Sequence, residues 1–515
     1  MSAEELLAQD FGTLADVIRE QARELKDKPA LVDAKRTLSY AALDALMDRI
    51  AAALQRDGVG QAEVAAACAS TSVEYAAAFL GTLRAGAVVA PLAPSSTAES
   101  LAVQLKDSGA KVFFLDKGVA EAMAGVMGGV TAKRVALDGS DAGVPFEQWL
   151  AVEGTKPAPV AVDPDQGFNI IYSSGTTGAP KGIVQPHRMR WGQIRRGTYP
   201  PDAVTIVSTP LYSNTTLVSF LPAISNGGTA VLMPKFDVEQ FLKLSEKHHV
   251  THAMLVPVQY RRLMERPDFD SYDLSSYRMK FSTSAPFAAG LKADILKRWP
   301  GGLAEFYGMT EGGGACCLFC HEFPDKLHTV GRPLPGHDIR LIDEDGKEVA
   351  QGEIGEVVGR SGGMMLGYHN QPGKTSEAEW WSPAGNRYIR TGDVGCFDED
   401  GFLTLMDRKK DMIISGGFNI YPSDLEAELA RHEAVLEVAV VGVPSDAWGE
   451  TPVAFVALRP GVTVAPDDLK AWMNAKVGKT QRLADLQIVD ALPRSHIGKV
   501  LKRELRDAYK GVAIV

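Results

Sequence analysis

A chain of 515 residues, of which 45% are hydrophobic and 23% charged, has the composition of a globular protein with several buried cores. Its formal net charge of -10 gives nucleic-acid binding no electrostatic support. The N-terminus shows no basic segment followed by an apolar one, and no apolar run reaches about 18 residues, so we expect a cytoplasmic protein without a signal peptide or membrane insertion.

Helical and extended segments alternate over the first part of the chain. Apolar residues recur with helical spacing in the segments 13–27, 75–83 and 99–106. Short apolar segments typical of strands lie at 30–32, 87–91, 112–115, 205–208, 229–233 and 252–256. A longer helix is expected after Ser39, whose hydroxyl can cap its N-terminus. This alternation predicts an α/β fold with mostly parallel sheets, whereas residues 120–165 indicate only a connecting region.

A loop rich in glycine and hydroxyl side chains follows an apolar segment, Phe168–Tyr172, that predicts a buried strand. Glycine lets a ligand approach the main chain, and successive backbone N–H groups in such a loop can bind an anion. A lysine adds a charge suited to phosphate. These properties predict a phosphate-binding loop, although no Gly-Lys-Ser/Thr triplet closes it as in a P-loop. Its candidate residues are Ser173, Ser174, Gly175, Thr176, Thr177, Gly178 and Lys181.

The last third of the chain has a different pattern. From about Thr329 short strands are separated by Asp-Gly turns, which predicts an antiparallel, barrel-like unit. A charged run at 407–411 precedes a compact α+β pattern of about a hundred residues. We therefore expect a large N-terminal domain at 1–406 with its barrel-like part at about 329–406, a hinge at 407–411, and a small mobile C-terminal domain at 412–515.

The segment YSSGTTGAPKG, from Tyr172 to Gly182, resembles the signature loop of the adenylate-forming superfamily. That family includes acyl-CoA synthetases, peptide-synthetase adenylation domains and luciferases. The segment TLSYAALDALMDRIAAAL, which begins at Thr37, is also similar to the family. Further segments resemble the family's other motifs, in the same order along the chain. They are Ser284–Pro286, Phe306–Glu311, Tyr388–Asp393, Gly416–Pro422 and Pro493–Lys499.

The resemblance implies a site for ATP and Mg²⁺. Tyr307 would stack on adenine, Thr310 would contact the α-phosphate and Glu311 would bind Mg²⁺, and these residue types suit those roles. Asp393 would accept hydrogen bonds from both ribose hydroxyls, with Arg408 beside the same sugar. Further positions implied by the resemblance are Ser284, Ala285 and Pro286 against the adenine, and Thr176 as a second metal-site and catalytic residue.

The resemblance also assigns roles to the C-terminal domain. Lys499 would be the catalytic lysine, because attack of a carboxylate on the α-phosphate brings two anions together and a cation lowers their repulsion. Lys410 matches the family's hinge position. The loop at Gly416, Gly417 and Phe418 would line the tunnel for the thiol arm of coenzyme A.

By resemblance, the acyl pocket is lined by uncharged residues. Because none of them would neutralise a second carboxylate, we expect an uncharged acid with an aromatic or medium-chain tail, and not malonate. Ser213 stands where many relatives have a histidine, and His187 is interpreted as structural. The predicted pocket residues are Tyr212, Asn214, Gln259, Ser282, Gly312, Gly313 and Gly314.

The chain is thus interpreted as an AMP-forming acid–CoA ligase that uses ATP, Mg²⁺ and coenzyme A. It would make an acyl-adenylate with release of pyrophosphate, and then transfer the acyl group to the thiol of coenzyme A. The alternatives are an enzyme that loads an acyl carrier protein, a luciferase-like oxidative enzyme and a non-catalytic nucleotide-binding regulator. We expect it to bind small molecules and no nucleic acid. We expect it to be a monomer or a homodimer.

A CxxCH pattern occurs at Cys317–His321. The pattern is typical of c-type haem attachment or of one half of a zinc site. Only Cys316 lies close to it in sequence, and haem attachment requires export. We therefore interpret these cysteines as a buried apolar cluster.

Overall fold

The structure is a computed structural model, and it describes residues 1–173, 181–408, 411–415, 418–445, 448–478, 481–494 and 500–509. The contacts between residues divide the chain into two compact units. The first comprises residues 1–338 and 359–389, and the second comprises 339–358 and 390–515.

The helices of the described residues are mostly short and amphipathic. They are α1 (Ala3–Leu7), α2 (Leu14–Glu24), α3 (Tyr40–Arg56), α4 (Val73–Arg84), α5 (Ala98–Ser108), α6 (Lys117–Ala122), α7 (Phe146–Trp149), α8 (His187–Ile194), α9 (Asn214–Ser225), α10 (Val238–Lys247), α11 (Pro257–Met264), α12 (Ala289–Arg298), α13 (Pro372–Glu377), α14 (Pro422–Leu429), α15 (Pro466–Asn474) and α16 (Lys502–Ala508). Short 3₁₀ turns lie at Met127–Gly129, Phe269–Ser271 and Pro324–Lys326.

The described strands are mostly short, and the two longest have 11 residues each. They are β1 (Pro29–Val32), β2 (Thr37–Ser39), β3 (Val64–Cys68), β4 (Val88–Pro91), β5 (Val112–Leu115), β6 (Lys133–Ala136), β7 (Val144–Pro145), β8 (Gly167–Ser173), β9 (Lys181–Pro186), β10 (Val204–Val207), β11 (Thr229–Leu232), β12 (His252–Leu255), β13 (Met279–Ser282), β14 (Gly302–Tyr307), β15 (Cys316–Phe319), β16 (Arg332–Pro333), β17 (Asp338–Ile342), β18 (Gly355–Arg360), β19 (Gly367–Tyr368), β20 (Glu379–Trp381), β21 (Arg387–Phe397), β22 (Leu403–Arg408), β23 (Ile413–Ser415), β24 (Phe418–Ile420), β25 (Val435–Ser445), β26 (Gly449–Leu458) and β27 (Asp485–Ile488).

Two large sheets form the first unit. One has the strand order β16-β15-β14-β13-β12-β10-β11-β1-β2, and the other has the order β19-β9-β8-β4-β3-β5-β6-β7. The central strands of both pair in parallel, and antiparallel pairs lie toward the ends. The predicted α/β fold with mostly parallel sheets is confirmed. Parallel strands are buried on both faces, which explains why they appear in the sequence as short continuous apolar segments.

The segment from Tyr40 illustrates how local sequence builds this unit. Ser39 has extended dihedral angles, and its hydroxyl accepts a hydrogen bond from the Ala42 N–H, so the predicted N-cap of α3 is confirmed. The Tyr40 ring is fully buried, and its hydroxyl donates to the carbonyls of Ile224 and Gly228. The start of α3 is thereby fixed to the end of α9 and the strand that follows it.

Two expectations about the architecture were wrong. Residues 120–165 contain β6, β7 and α7 rather than only a connection, and β6 was missed because its exposed Lys133 and Arg134 interrupt the apolar pattern. The strands after about residue 338 make an open five-stranded sheet in the order β17-β18-β21-β20, with β22 paired to β21, and no closed barrel forms among the described residues. Alternating short strands fix pairing but not closure, since closure depends on the tilt and stagger of the whole sheet.

The second unit ends in an α+β region. Its sheet has the order β24-β23-β26-β25, with β27 parallel to β26. Helices α14 and α15 pack on this sheet through Leu425, Leu429, Leu469 and Met473, all of which are buried. Within the described ranges of the whole chain, no helix has both the length and the apolar character needed to cross a membrane.

Candidate active site

Tyr307 ends β14, and Thr310 and Glu311 lie in the turn that follows it. Thr310 and Glu311 are held through their backbones. The Thr310 carbonyl accepts a hydrogen bond from the Gln185 side chain at 2.6 Å, and the Glu311 carbonyl accepts one from the Met365 N–H at 2.8 Å. Both residues therefore occupy fixed positions at the edge of the first unit's parallel sheet.

The carboxylate of Glu311 suits a divalent cation. It is half-buried, and its Oε1 accepts a hydrogen bond from the Tyr368 hydroxyl at 2.8 Å. Among the side chains that the structure describes, no Lys, Arg or His lies within 4.0 Å of it. A half-buried carboxylate with no basic side chain beside it is the kind of oxygen ligand that Mg²⁺ prefers, so the residue fits the metal that the resemblance implies.

The predicted phosphate loop begins and ends in paired strands. Ser173, at the end of β8, lies opposite Lys181, at the start of β9. The Tyr172 hydroxyl donates to Asp107 in α5 at 2.7 Å, which fixes the residue before the loop. The ammonium of Lys181 lies 4.9 Å from the centre of the Tyr368 ring, close enough for a cation–π contact.

Several predicted residues cannot be placed. Those that fall outside the described residues are Ser174, Gly175, Thr176, Thr177, Gly178, Lys410, Gly416, Gly417 and Lys499. The side chains of Ser173, Arg408 and Phe418 also lie outside what the structure describes.

The segment predicted to lie against adenine contains an unusual backbone conformation. Ser284 has φ +83°, which L side chains rarely adopt, and its Oγ lies 2.6 Å from Thr215 Oγ1 in α9. Ala285 is half-buried and Pro286 is exposed. This contact brings the adenine segment next to the helix that carries Asn214.

The predicted acyl-pocket residues come from four separate elements. Tyr212 and Asn214 lie before and at the start of α9, Gln259 lies in the first turn of α11, and Ser282 ends β13. The Asn214 Oδ1 accepts from Gln185 at 3.4 Å, and the Gln259 amide donates to the Ser208 carbonyl at the same distance. The hydroxyls of Ser208 and Ser282 are buried and have no hydrogen-bond partner in the described part of the chain.

The glycines at 312 and 313 have a conformational role. Both have positive φ, +78° and +85°. A Cβ at Gly312 would lie 2.1 Å from the Gly363 carbonyl oxygen, and one at Gly313 would lie 2.7 Å from the Gly359 carbonyl oxygen. The backbone alone therefore requires glycine there, so substitution of Gly313 is not a clean test of pocket size.

A buried polar network below this site was missed from the sequence. Arg190 is fully buried, and its guanidinium donates to the side chains of Asn169 at 3.1 Å, Gln193 at 2.9 Å and Gln185. Gln185 in turn contacts Thr310 and Asn214. Burial lowers the pKa of Arg190 from 12.5 to about 9. The sequence feature that could have predicted this network is the presence of two polar residues, Asn169 and Gln185, within apolar strands.

In the second unit, Asp393 and Arg408 lie opposite each other. They are register partners in the antiparallel pair of β21 and β22. The Asp393 N–H donates to the Thr391 hydroxyl at 3.0 Å, which turns the strand at this point. The two residues that the resemblance assigns to the ribose are therefore neighbours.

The cysteines of the CxxCH pattern lie inside the first unit. Cys316 and Cys320 are fully buried, and Cys317 is 7% exposed. Burial raises the pKa of each thiol to about 12, so all three stay protonated at neutral pH. They behave as small apolar residues in the sheet formed by β14, β15 and β16, as expected.

Comparison with family models gives two matches. Residues 18–369 match the model of the AMP-binding enzymes, and residues 424–499 match that of the AMP-binding enzyme C-terminal domain.

Comparison with individual proteins gives matches over nearly the whole chain. The chain is 33% identical to 4-coumarate–CoA ligase 5 of Oryza sativa subsp. japonica, covering 96% of this chain and 94% of that one. It is 30% identical to the fatty acid–[acyl-carrier-protein] ligase ScoC of Streptomyces coeruleorubidus, covering 97% of each. The ATP-bound structure of MatB from Rhodopseudomonas palustris superposes with a TM-score of 0.84 at 30% identity, covering 96% of this chain and 99% of that one.

Proposed function

The chain belongs to the AMP-binding enzyme family, and from that premise we propose that it is an acid–CoA ligase. The observation that carries the proposal is the similarity to a CoA ligase across 96% of the chain, which includes both matched domains. In the first half-reaction, a carboxylate attacks the α-phosphate of ATP and gives an acyl-adenylate and pyrophosphate. In the second, the thiol of coenzyme A attacks the acyl carbon, forms a thioester and displaces AMP.

The resemblance assigns the ATP end of the site to separate groups of residues. Tyr307, with Ser284, Ala285 and Pro286 beside it, would hold adenine, and Thr310 would contact the α-phosphate. Glu311 and Thr176 would hold Mg²⁺, which neutralises phosphate charge when it is bound. Asp393 and Arg408 would bind the ribose, and the loop from Ser173 to Lys181 would bind the remaining phosphates. The position of the Glu311 carboxylate beside Tyr368 and the strand pairing of Asp393 with Arg408 support these assignments.

The C-terminal domain is assigned the catalytic lysine and the thiol tunnel. Lys499 would stabilise the transition state of adenylate formation, and Gly416–Phe418 would line the path of coenzyme A. Since both tasks belong to one small domain, we propose that it alternates between two orientations, with Lys410 in the hinge at 407–411.

We propose an uncharged acid with an aromatic or medium-chain tail. None of the residues assigned to the pocket, Tyr212, Asn214, Gln259 and Ser282, carries a positive charge that would pair with a second, buried carboxylate. Similarity to a 4-coumarate–CoA ligase favours the aromatic acids. AMP release measured with cinnamic, benzoic, medium-chain and malonic acids tests this, and malonate as the best substrate would contradict it.

A second candidate is a ligase that loads an acyl carrier protein. The similarity to a fatty acid–[acyl-carrier-protein] ligase over 97% of the chain favours it. The two functions share the adenylation step and differ in the thiol that accepts the acyl group. Thioester formation with free coenzyme A, compared with a pantetheinylated carrier protein, decides between them.

The catalytic assignment is tested at Lys499. Lys499→Ala should abolish ATP–pyrophosphate exchange, because the charge is needed where the carboxylate meets the phosphate. Thioester formation from supplied acyl-adenylate should be retained, because attack by a thiol does not need that charge. Equal loss of both half-reactions would contradict the assignment.

A further inference from the structure

Tyr368 contacts two residues of the proposed ATP site at once. Its hydroxyl donates to Glu311 Oε1 at 2.8 Å, and its ring centre lies 4.9 Å from the Lys181 ammonium. The side chain is 9% exposed. Tyr368 lies outside all the segments quoted above as resembling the family's motifs.

The backbone around Tyr368 is bonded on both sides. Tyr368 pairs with Ile183 across β19 and β9, and its N–H donates to the Thr375 hydroxyl at 2.9 Å. The neighbouring His369 N–H donates to the Gly182 carbonyl at 2.7 Å. The Met365 N–H donates to the Glu311 carbonyl, as described above. Since this short segment joins the strand after the phosphate loop to the turn that holds Glu311, the ring of Tyr368 has little freedom to move.

A phenol that donates to one oxygen of a carboxylate restricts the rotation of that carboxylate. It leaves the second oxygen available to a cation. Partners of this kind are not metal ligands themselves, but their loss lowers metal affinity by about ten- to a hundredfold in other proteins. The cation–π contact stabilises the lysine ammonium over the ring by a modest amount.

We propose that Tyr368 is a positioning residue that orients the Glu311 carboxylate for Mg²⁺ and holds the Lys181 ammonium on its ring. The proposal rests on the proposed function, because it requires that ATP and Mg²⁺ bind at this site. It assigns the two effects to different parts of one side chain, the hydroxyl for the metal and the ring for the lysine.

Two substitutions separate these parts. Tyr368→Phe keeps the ring and removes the hydroxyl, whereas Tyr368→Leu removes both. ATP binding is measured by titration calorimetry at graded Mg²⁺ concentrations and in EDTA, with no acid present. For Tyr368→Phe we expect the Mg²⁺ concentration that gives half-maximal enhancement of ATP binding to rise about tenfold, with unchanged affinity in EDTA. For Tyr368→Leu we expect the same rise and, in addition, weaker binding in EDTA.

Tyr509→Phe is the matched control. Tyr509 is half-buried and lies outside the residues assigned to ATP, and its hydroxyl also donates to a carboxylate, that of Asp485 at 3.0 Å. Its substitution should leave the Mg²⁺ dependence of ATP binding unchanged. An unchanged Mg²⁺ dependence in Tyr368→Phe, or an equal change in Tyr509→Phe, overturns the positioning role. A wild-type protein that neither binds ATP nor catalyses pyrophosphate exchange overturns the proposed function itself, so the two failures are distinguishable.

Discussion

Two buried arginines of the first unit lie in contrasting surroundings. Arg84, in α4, is 4% exposed and contacts the carboxylates of Asp44 at 2.6 Å and Asp48 at 3.0 Å, both in α3. Arg190, in α8, is fully buried, and its hydrogen bonds within the described residues go to the side-chain amides of Asn169, Gln185 and Gln193. No carboxylate lies within 4.0 Å of Arg190 in the part of the chain that the structure describes.

The different partners of the two arginines match the surroundings of each one. In the Arg84 region, helices pack against one another, and opposite charges satisfy each other where water is excluded. Arg190 lies two hydrogen bonds from Thr310, through Gln185, and the proposed function places the phosphates of ATP at Thr310. A neutralising carboxylate there would repel the phosphate, whereas neutral amides transmit the position of the guanidinium without adding negative charge. The comparison shows that an uncompensated buried charge lies near the proposed anion site, and a compensated one lies in the scaffold.

The largest effect is expected from Arg84→Met. The substitution leaves Asp44 without Arg84, whereas Asp48 keeps Lys156 at 2.6 Å and Arg19 at 3.8 Å. Breaking one side of a buried ion pair costs about 3 kcal/mol or more. We expect the free energy of unfolding of this unit to fall by that amount, which moves its unfolding transition to a lower urea concentration. Hydrogen exchange in α3 and α4 should accelerate. Activity of the folded fraction should not change.

Arg23→Met provides the control for Arg84→Met. Its side chain is 67% exposed and pairs with Glu20, so the same substitution should shift stability by less than about 1 kcal/mol. An equal loss in both variants would mean that burial of the Arg84 charges does not determine their contribution.

An intermediate effect on stability is expected when the pH is lowered, because of the buried His187. His187 packs edge-on against Phe168, 5.0 Å away, and Arg190 contacts the same ring at 5.9 Å. Burial lowers the pKa of His187 from 6.5 to about 4. The unfolded chain therefore binds a proton below about pH 6.5 that the folded chain does not bind until about pH 4, and stability falls across this window by about 2–3 kcal/mol.

The variant His187→Phe should reduce that acid-dependent loss. Urea unfolding at pH 7 and pH 4.5 measures it, and the difference between the two pH values should shrink by about 2 kcal/mol in the variant. His328→Phe, the same change at an exposed histidine, should leave the difference unaltered. If both variants retain the full loss, protonation at His187 does not limit stability in this region.

The smallest effect on free energy is expected from Arg190→Met. Methionine removes a charge that is costly to bury, and this gain partly offsets the three hydrogen bonds that are lost, so stability should change by about 1 kcal/mol or less. Gln185 loses one of its anchors, and Thr310 is then held less firmly. We expect the rate of ATP–pyrophosphate exchange to fall about tenfold, which corresponds to about 1.4 kcal/mol in the transition state.

Arg84→Met should therefore lower stability with little effect on the exchange rate, whereas Arg190→Met should lower the exchange rate with little effect on stability. A large loss of stability in Arg190→Met with an unchanged exchange rate would contradict the comparison, because Arg190 would then act as part of the scaffold.

Local sequence alone determined much of this protein. The cap at Ser39, the buried strand before the phosphate loop, and strands such as Val112–Leu115 follow from side-chain periodicity and from hydrogen bonds within a few residues. The order of the motifs determined the family, because each motif carries its chemistry in a few adjacent residues. Such features require no knowledge of which distant segments meet.

Only the tertiary structure decided the contacts between distant segments. Tyr368 meets Glu311 across 57 residues of sequence, and Gln185 meets Thr310 across 125. Whether the strands after residue 338 close into a barrel depends on the stagger of the sheet as a whole, and the glycine at 313 is required by a carbonyl at Gly359. In each case the deciding partner is brought close by packing, and no local pattern of residues contains the information about which partner that is.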